Sequence, residues 1–182
     1  VALGSNLGDP LQQLHSALDL LAGTGEVMAR SSLYATEPVG GPARQSEYLN
    51  AVVALRPRTS RPATLLDQLL GIEHALGRER TERWGPRVID LDLLAYGDAV
   101  VAEDDTPNGT RGPLQLPHPR MAERAFVLVP FCEVANRAGA WPPVWRHPLT
   151  GLDPCQMLAA LADRGGVTLT DWQADNLSRE AV

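Results

Sequence analysis

The sequence predicts an α+β domain in which helices cover a mostly antiparallel sheet. Segments with the apolar periodicity of strands and helices follow one another in the order strand, helix, strand, strand, helix, strand. At 182 residues, with 44% hydrophobic and 21% charged residues, the chain is long enough for one soluble domain with a substantial core. We assign residues 1–173 to this domain and expect 174–182 to form a loose C-terminal tail.

The first half of the chain has clear element boundaries. Asp9-Pro10 predicts a helix start, because aspartate caps helices and proline suits the first helical position. Pro62 begins a second helix in the same way, and Gly77 ends it. The predicted elements are, in order, a strand ending at Leu3, a helix over 10–22, strands over 27–35 and 48–55 that pair across a loop, a helix over 62–76, and a strand over 88–95.

The second half is less regular. Residues 97–113 contain an acidic run at 103–105 and predict a solvated, flexible insertion. Three elements are predicted beyond it: a short strand or a helix start over 126–130, a helix from Pro154 to Leu161, and a strand over 167–172.

Charge and cysteine content narrow the classes of function. The net charge of −6 argues against a general nucleic-acid surface, so any anion site must be local. No stretch approaches the ~20 apolar residues of a membrane span, and no signal peptide is visible. Cys132 and Cys155 fit no metal-ligand spacing, so free thiols in a cytoplasmic protein are expected, with a disulfide as the alternative.

Asp90 and Asp92 flank Leu91 on a predicted strand, which places both carboxylates on one face, about 7 Å apart. Their charges repel each other, and a Mg2+ ion bound by both would resolve the repulsion. An exposed edge strand with two solvated acids is the alternative explanation. Arginines precede the pair and favour a phosphate beside the metal: Arg78, Arg80, Arg83 and Arg87.

Three further motifs are weaker signals. Gly4-Ser5-Asn6-Leu7 is a strand-to-helix turn of a kind that can bind phosphate, although it is not a Walker A sequence. Tyr48 and Asn50 share a strand face that could stack on and hydrogen-bond a flat heteroaromatic ring. His118, held between two prolines, and Arg124 could reach phosphate. Each of these motifs also has an ordinary structural explanation.

Taken together and in this order, the motifs resemble 6-hydroxymethyl-7,8-dihydropterin pyrophosphokinase of folate biosynthesis. The most specific parts are the Arg83–Arg87 block Arg-Trp-Gly-Pro-Arg, the Asp-Leu-Asp strand that follows, and Leu-Pro-His-Pro-Arg-Met at 116–121. The resemblance implies a ferredoxin-like fold with flexible catalytic loops. It also implies transfer of pyrophosphate from ATP to the pterin hydroxymethyl group, with two Mg2+ ions as cofactors and AMP released. A fused or associated folate-pathway enzyme is left open.

The resemblance also implies roles for individual residues. Asp90 and Asp92 correspond to Mg2+ ligands, with Asp92 also a candidate proton acceptor. Arg78, Arg87 and Trp84 correspond to residues of the catalytic loops that neutralise charge and seal the closed site. The positions expected to contact ATP are Glu73, Arg80, His118 and Arg124. The positions expected to contact the pterin are Thr36, Val39, Tyr48, Asn50 and Phe126.

Two other classes of protein are compatible with parts of this pattern. A two-metal phosphohydrolase or nuclease would use the aspartate pair, but it needs further ligands, and the sequence offers no obvious third carboxylate nearby. A non-catalytic nucleotide- or pterin-binding module would be favoured by loss of Asp90, Asp92 or Arg87. All three residues are present.

Overall fold

The computed structural model describes residues 1–40, 42, 45–79, 85–104, 114–137 and 145–171. It confirms the predicted α+β class. Within these residues, no helix has the length and apolar character of a transmembrane segment. The elements are β1 (Ala2–Ser5), α1 (Pro10–Ala22), β2 (Gly25–Arg30), β3 (Tyr34–Thr36), β4 (Tyr48–Pro57), α2 (Pro62–Ala75), β5 (Asp90–Asp92), β6 (Val101–Asp104), β7 (Leu114–Leu116), a 3-10 helix (Met121–Glu123), α3 (Ala125–Arg137), α4 (Pro154–Ala160) and β8 (Val167–Leu169).

The main sheet has the strand order β5-β1-β4-β3-β8, and β2 pairs with β4 beside β3. Every pairing in it is antiparallel. Since β2 and β3 together take the place of one strand next to β4, the chain follows a β-α-β-β-α-β path with β1 and β4 in the centre. The ferredoxin-like fold expected from the resemblance is confirmed.

Side chains that alternate along β4 contribute to two apolar clusters. Ala51 and Val53 belong to a cluster with leucines of α1 and α2, whereas Val52 belongs to a cluster with residues of α3 and α4. Helix starts follow the predicted capping chemistry. The Asp9 carboxylate accepts a hydrogen bond from a first-turn backbone N–H of α1, and Asp153 forms a capping box at α4.

Three elements differ from the prediction. The strand expected over 27–35 is broken into β2 and β3, because Ser32 donates its N–H and hydroxyl to the Glu133 carboxylate of α3. The strand expected over 88–95 pairs only at Asp90–Asp92, opposite the short β1. The segment at 126–130 lies inside the 13-residue helix α3, so the helix alternative is correct.

The predicted insertion at 97–113 begins with structure rather than a flexible loop. Val101–Asp104 forms β6, which pairs with β7 so that Val101 lies opposite Leu116. This strand was not predicted because the acidic run at 103–105 indicated a solvated loop. Val101, the apolar residue that pairs with β7, precedes that run. Residues 105–113, like the predicted tail at 174–182, lie outside the described part of the chain.

The expectation of free thiols is wrong, since Cys132 and Cys155 form a disulfide. Cys132 lies on α3 and Cys155 on α4, and packing of these helices brings the two Cα atoms to 4.8 Å. The 23-residue separation in sequence gives no hint of that packing. The disulfide therefore joins two elements whose contact only the tertiary structure reveals.

Reduction of this disulfide should lower the free energy of unfolding by about 3 kcal/mol, because the bond constrains the unfolded chain. The measurement is urea denaturation with and without dithiothreitol. A variant carrying Cys132→Ser and Cys155→Ser is the control. Because the chain has only these two cysteines, dithiothreitol should not change the free energy of unfolding of this variant. Two reactive thiols in the untreated native protein would contradict the assignment.

Candidate active site

The two aspartates of β5 and an asparagine of β4 lie on one face of the sheet, with β1 between them. Asp90 is opposite Gly4, which is opposite Asn50, and Asp92 is opposite Ala2. The leucine between the aspartates is buried in the core on the other face. The small residues of β1 therefore leave a trough between the aspartates and Asn50.

This trough is part of a cleft of about 680 Å³. Its wall includes many of the residues that the resemblance singled out: Thr36, Val39, Tyr48, Asn50, Arg87, Asp90, Asp92, Arg124 and Phe126. It also includes residues to which the sequence assigned no role: Glu37, Pro38, Arg120, Glu123, Leu161, Asp163, Gly165, Gly166 and Val167. Arg120 stood within the Leu-Pro-His-Pro-Arg-Met motif, but nothing in the sequence marked the segment at 161–167.

Buried polar groups and rings define one end of the cleft. The Asn50 Nδ2 donates to Thr36 Oγ1 at 2.7 Å, and both residues are buried. The Tyr48 hydroxyl donates to the backbone oxygen of Gly85 at 3.2 Å. The Phe126 ring lies 5.5 Å from the guanidinium carbon of Arg124. An amide and two aromatic side chains in the wall of one cleft suit a flat heterocycle with hydrogen-bonding edges.

Gly4 packs closely against Asn50. A Cβ at position 4 would lie 3.0 Å from Asn50 Oδ1, so the Asn50 amide would have to move. We expect Gly4→Ala to weaken pterin binding about tenfold, or ~1.4 kcal/mol. The control is Gly71→Ala in α2, where a Cβ meets nothing within 4 Å, and it should be neutral or stabilising by up to ~1 kcal/mol. Unchanged pterin affinity in Gly4→Ala, measured by calorimetry, would contradict the assignment of this end of the cleft.

Ion pairs define the other end, where Arg87 and Arg124 belong to the wall of the cleft and Arg78 does not. Asp90 Oδ1 accepts from Arg78 Nη1 at 2.6 Å, and Asp90 Oδ2 accepts from Arg87. Asp92 Oδ2 lies 3.9 Å from Arg124 Nη1. Guanidinium groups thus lie beside both carboxylates, so donors suited to phosphate and ligands suited to a divalent cation lie next to each other.

The Gly-Ser-Asn motif anchors the backbone of Arg87. The Arg87 N–H donates to Asn6 Oδ1 at 2.8 Å, and the Asn6 N–H donates to the Arg87 carbonyl at 3.0 Å. The Ser5 hydroxyl donates to the carbonyl of Val88 at 2.5 Å. These contacts give the motif a structural role in fixing Arg87, which the sequence interpretation of a phosphate-binding turn did not foresee.

Burial and charge shift several pKa values in this region. Burial, then repulsion from Asp90, raises the pKa of Asp92. Burial lowers the pKa of His118 despite the attraction of Asp92. Burial would lower the pKa of Arg78, but the charges of Asp90 and Glu73 outweigh it and raise that pKa. The site therefore favours a proton on Asp92 more than water does, and it keeps Arg78 charged.

If Asp92 is a Mg2+ ligand, as the resemblance implies, its raised pKa predicts that cation binding is acid-sensitive. Only the ionised carboxylate binds a cation, so Mg2+ affinity should fall as the pH decreases, at a pH above the ordinary aspartate value of 3.8. The free energy of unfolding depends on pH in the opposite direction. Because the pKa of Asp92 is raised in the folded state, this residue stabilises the fold below pH 3.8. That stabilisation is lost as the pH rises through the pKa of the folded state. Metal titrations across pH test the first effect, and a midpoint at or below 3.8 would contradict it.

Comparison with known proteins identifies the family. Residues 1–136 match the 7,8-dihydro-6-hydroxymethylpterin-pyrophosphokinase (HPPK) family. The chain belongs to this family. Two similar relatives are each named 2-amino-4-hydroxy-6-hydroxymethyldihydropteridine pyrophosphokinase. The protein of Methylorubrum extorquens is 44% identical over 156 residues, covering 85% of this chain and 92% of the relative. That of Mycobacterium bovis is 37% identical over 186 residues, covering 100% and 94%.

A solved structure supports the pyrophosphokinase fold. A triple mutant of Plasmodium falciparum HPPK-DHPS, solved with pteroate, has a TM-score of 0.66 at 14% identity. The similarity covers 87% of this chain and 42% of that one. The chain therefore spans about two fifths of these longer, fused proteins.

Some residues that the pyrophosphokinase resemblance assigned to ATP lie outside the wall of the cleft. Glu73 is 3% exposed, and its carboxylate accepts hydrogen bonds from Arg78 and from the backbone of β5. His118 donates its backbone N–H to Leu94, and its Nδ1 accepts from a neighbouring backbone N–H. Arg80, expected to contact ATP, and Trp84, expected to seal the closed site, lie outside the described residues.

Proposed function

We propose that this chain transfers pyrophosphate from ATP to the hydroxymethyl group of 6-hydroxymethyl-7,8-dihydropterin, giving AMP and the pterin diphosphate in folate biosynthesis. One observation carries the proposal: a single cleft is lined by Asp90 and Asp92 of β5 with Arg87 and Arg124, and also by Asn50 and Tyr48 of β4 and by Phe126. Family membership supports the same reaction. The cleft accordingly offers adjacent places for a triphosphate and a pterin.

At the pterin end, Tyr48 and Phe126 are proposed to flank the ring, while Asn50 reads its edge. The bond from Asn50 to Thr36 supports this role, because it fixes the orientation of the amide. Val39 lines the same cleft with 71% of its surface exposed, so it can cover the ring with apolar surface. Binding would remove Val39 from water and contribute to affinity.

The aspartates fit magnesium. Asp90 and Asp92 supply two carboxylates on one face, and Mg2+ is commonly held by one or two carboxylates together with substrate phosphates. In the described part of the chain, no group of three or more His, Cys, Asp or Glu residues could hold a metal by itself. When bound with ATP, the two proposed Mg2+ ions would neutralise and orient the phosphate oxygens.

In the proposed transfer, the pterin hydroxyl oxygen bonds to the β-phosphorus as the bond from that phosphorus to the α-phosphate oxygen breaks. AMP leaves, and the hydroxyl proton passes to Asp92 or to solvent. Arg78 and Arg87 would neutralise the charge that develops on the phosphate oxygens.

The remaining nucleotide contacts are proposed on the resemblance. Arg124 lines the cleft 3.9 Å from Asp92, which suits contact with phosphate. Contacts of Arg80 and His118 with ATP, and closure by Trp84, stay predictions. So do a cytoplasmic location and association with other folate-pathway enzymes. Disulfides are rare in the cytosol, so the redox state of Cys132 in cells tests the predicted location.

The proposal is tested by incubating the protein with ATP, Mg2+ and the hydroxymethyl dihydropterin and separating the adenine nucleotides. AMP should form in amounts equal to the pterin diphosphate, and only when all three components are present. Formation of ADP, or of free phosphate without pterin, would contradict the proposal and favour a phosphohydrolase.

A further inference from the structure

Glu73 occupies a buried position at the end of α2, next to the strand that carries the aspartates. Its side chain is 4% exposed. Its Oε1 accepts the backbone N–H of Leu91 at 2.7 Å, and this N–H lies between Asp90 and Asp92 in sequence. The same oxygen accepts a hydrogen bond from Arg78. One carboxylate therefore contacts both the aspartate strand and an arginine of the site.

The position of β5 in the sheet explains the first contact. Within the described residues, β5 is an edge strand that pairs only with β1. An edge strand leaves outward N–H groups without a partner strand, and a buried N–H without an acceptor is costly. Glu73 supplies an acceptor at the residue that separates the two aspartates, so α2 fixes the backbone that sets their spacing.

The second contact of Glu73, with Arg78, links it to an aspartate of the cleft wall. Arg78 is 12% exposed and lies between two carboxylates, donating to Glu73 and, at 2.6 Å, to Asp90 Oδ1. A planar guanidinium can bridge two acceptors in fixed directions. Glu73, Arg78 and Asp90 thus form a continuous charged chain from the core to the wall of the cleft.

We infer that Glu73 is a positioning residue, which holds β5 and Arg78 in a fixed relation without itself contacting the nucleotide. This replaces the ATP contact that the family resemblance implied for Glu73. The inference rests on the proposed roles of Arg78 and the aspartates in pyrophosphoryl transfer. Glu73 acts on the reaction through these residues.

A double-mutant cycle with Arg78 tests the inference. Glu73→Gln keeps an oxygen acceptor for Leu91 but loses the charge that holds Arg78. We expect kcat to fall about 10- to 100-fold, as for other supporting contacts, with the KM for ATP changed less than about twofold. The double variant Glu73→Gln/Arg78→Ala should be as slow as Arg78→Ala alone.

Multiplicative losses in the double variant, or a raised KM for ATP at unchanged kcat, would overturn the inference. Glu26→Gln is the control. Glu26 on β2 forms an exposed ion pair with Arg56 on β4, and the loss of its charge should not affect turnover.

A measurement on the wild-type protein covers the case in which Glu73 variants fail to fold. Hydrogen exchange followed by NMR should show the Leu91 amide protected despite its edge strand, and equally protected after addition of Mg2+ and α,β-methylene ATP. Loss of that protection on nucleotide binding would mean that Glu73 turns to the nucleotide, and would overturn the inference. A wild-type protein that forms no AMP would instead refute the proposed function, and the exchange result would still report on Glu73.

Discussion

Asp92→Ala should lose nearly all turnover while the protein folds normally. Removing one of the two carboxylates proposed to bind Mg2+ should forfeit several kcal/mol of charge stabilisation, and ~4 kcal/mol corresponds to roughly 10³-fold in kcat. Because burial and Asp90 raise the pKa of Asp92, its ionised form costs folding free energy at neutral pH. The melting temperature of the variant should therefore be unchanged or higher.

Steady-state kinetics and thermal denaturation measure the two effects together. Asp19→Ala is the control, since Asp19 is an exposed aspartate on α1, far in sequence from the cleft residues. Substantial retained turnover in Asp92→Ala would show that the metal assignment is wrong. Lost turnover accompanied by unfolding would show that Asp92 is chiefly structural.

Arg87→Ala should reduce kcat far more than it weakens binding of ATP in the ground state. Removing an arginine that stabilises transferring phosphates typically costs about 10³- to 10⁵-fold in kcat. The Arg87 backbone is held by Asn6 at both its N–H and its carbonyl, so truncating the side chain should leave the chain path intact.

Kinetics and calorimetric titration with α,β-methylene ATP separate the two quantities. Arg56→Ala provides a matched control, because Arg56 forms an exposed ion pair with Glu26 that should contribute little. An Arg87→Ala variant that loses only nucleotide affinity would argue against a role in the transition state.

The alternative of a two-metal hydrolase requires further metal ligands near Asp90 and Asp92. A third carboxylate, that of Glu73, does lie near the aspartate pair, although Glu73 comes 17 positions before Asp90 in the sequence. Its Oε1 accepts from Leu91 N and from Arg78, so this carboxylate is engaged by groups of the protein and adds no third ligand to the aspartate pair. The geometry therefore favours phosphate transfer that relies on arginines beside a carboxylate pair.

Local chemistry predicted much of the fold. Capping residues fixed the starts of α1 and α4, and alternation correctly placed Asp90 and Asp92 on one face. The break between β2 and β3 was missed because its cause, Glu133, lies about a hundred residues away in sequence. The same limit concealed the disulfide, which depends on how α3 packs against α4.

Sequence motifs allowed only those site residues that belong to the motifs themselves to be predicted. The aspartates, the arginines and the Asn50 strand were found, because their residue types are unusual for the elements that carry them. The anchoring of Arg87 by Asn6 and the wall at 161–167 were not, since both depend on contacts between distant segments. The position of Glu73 could not be inferred, because only the packing of α2 on β5 brings its carboxylate to Leu91.

We propose that the aspartates hold the metal with the nucleotide, while the arginines act on the transferring phosphates. Electron paramagnetic resonance of Mn2+, titrated in the presence of α,β-methylene ATP, tests it most directly when wild type, Asp92→Ala and Arg87→Ala are compared. We predict that wild type and Arg87→Ala bind the ion with similar affinity and that Asp92→Ala does not bind it. Normal Mn2+ binding by Asp92→Ala, or its loss in Arg87→Ala alone, would contradict the account.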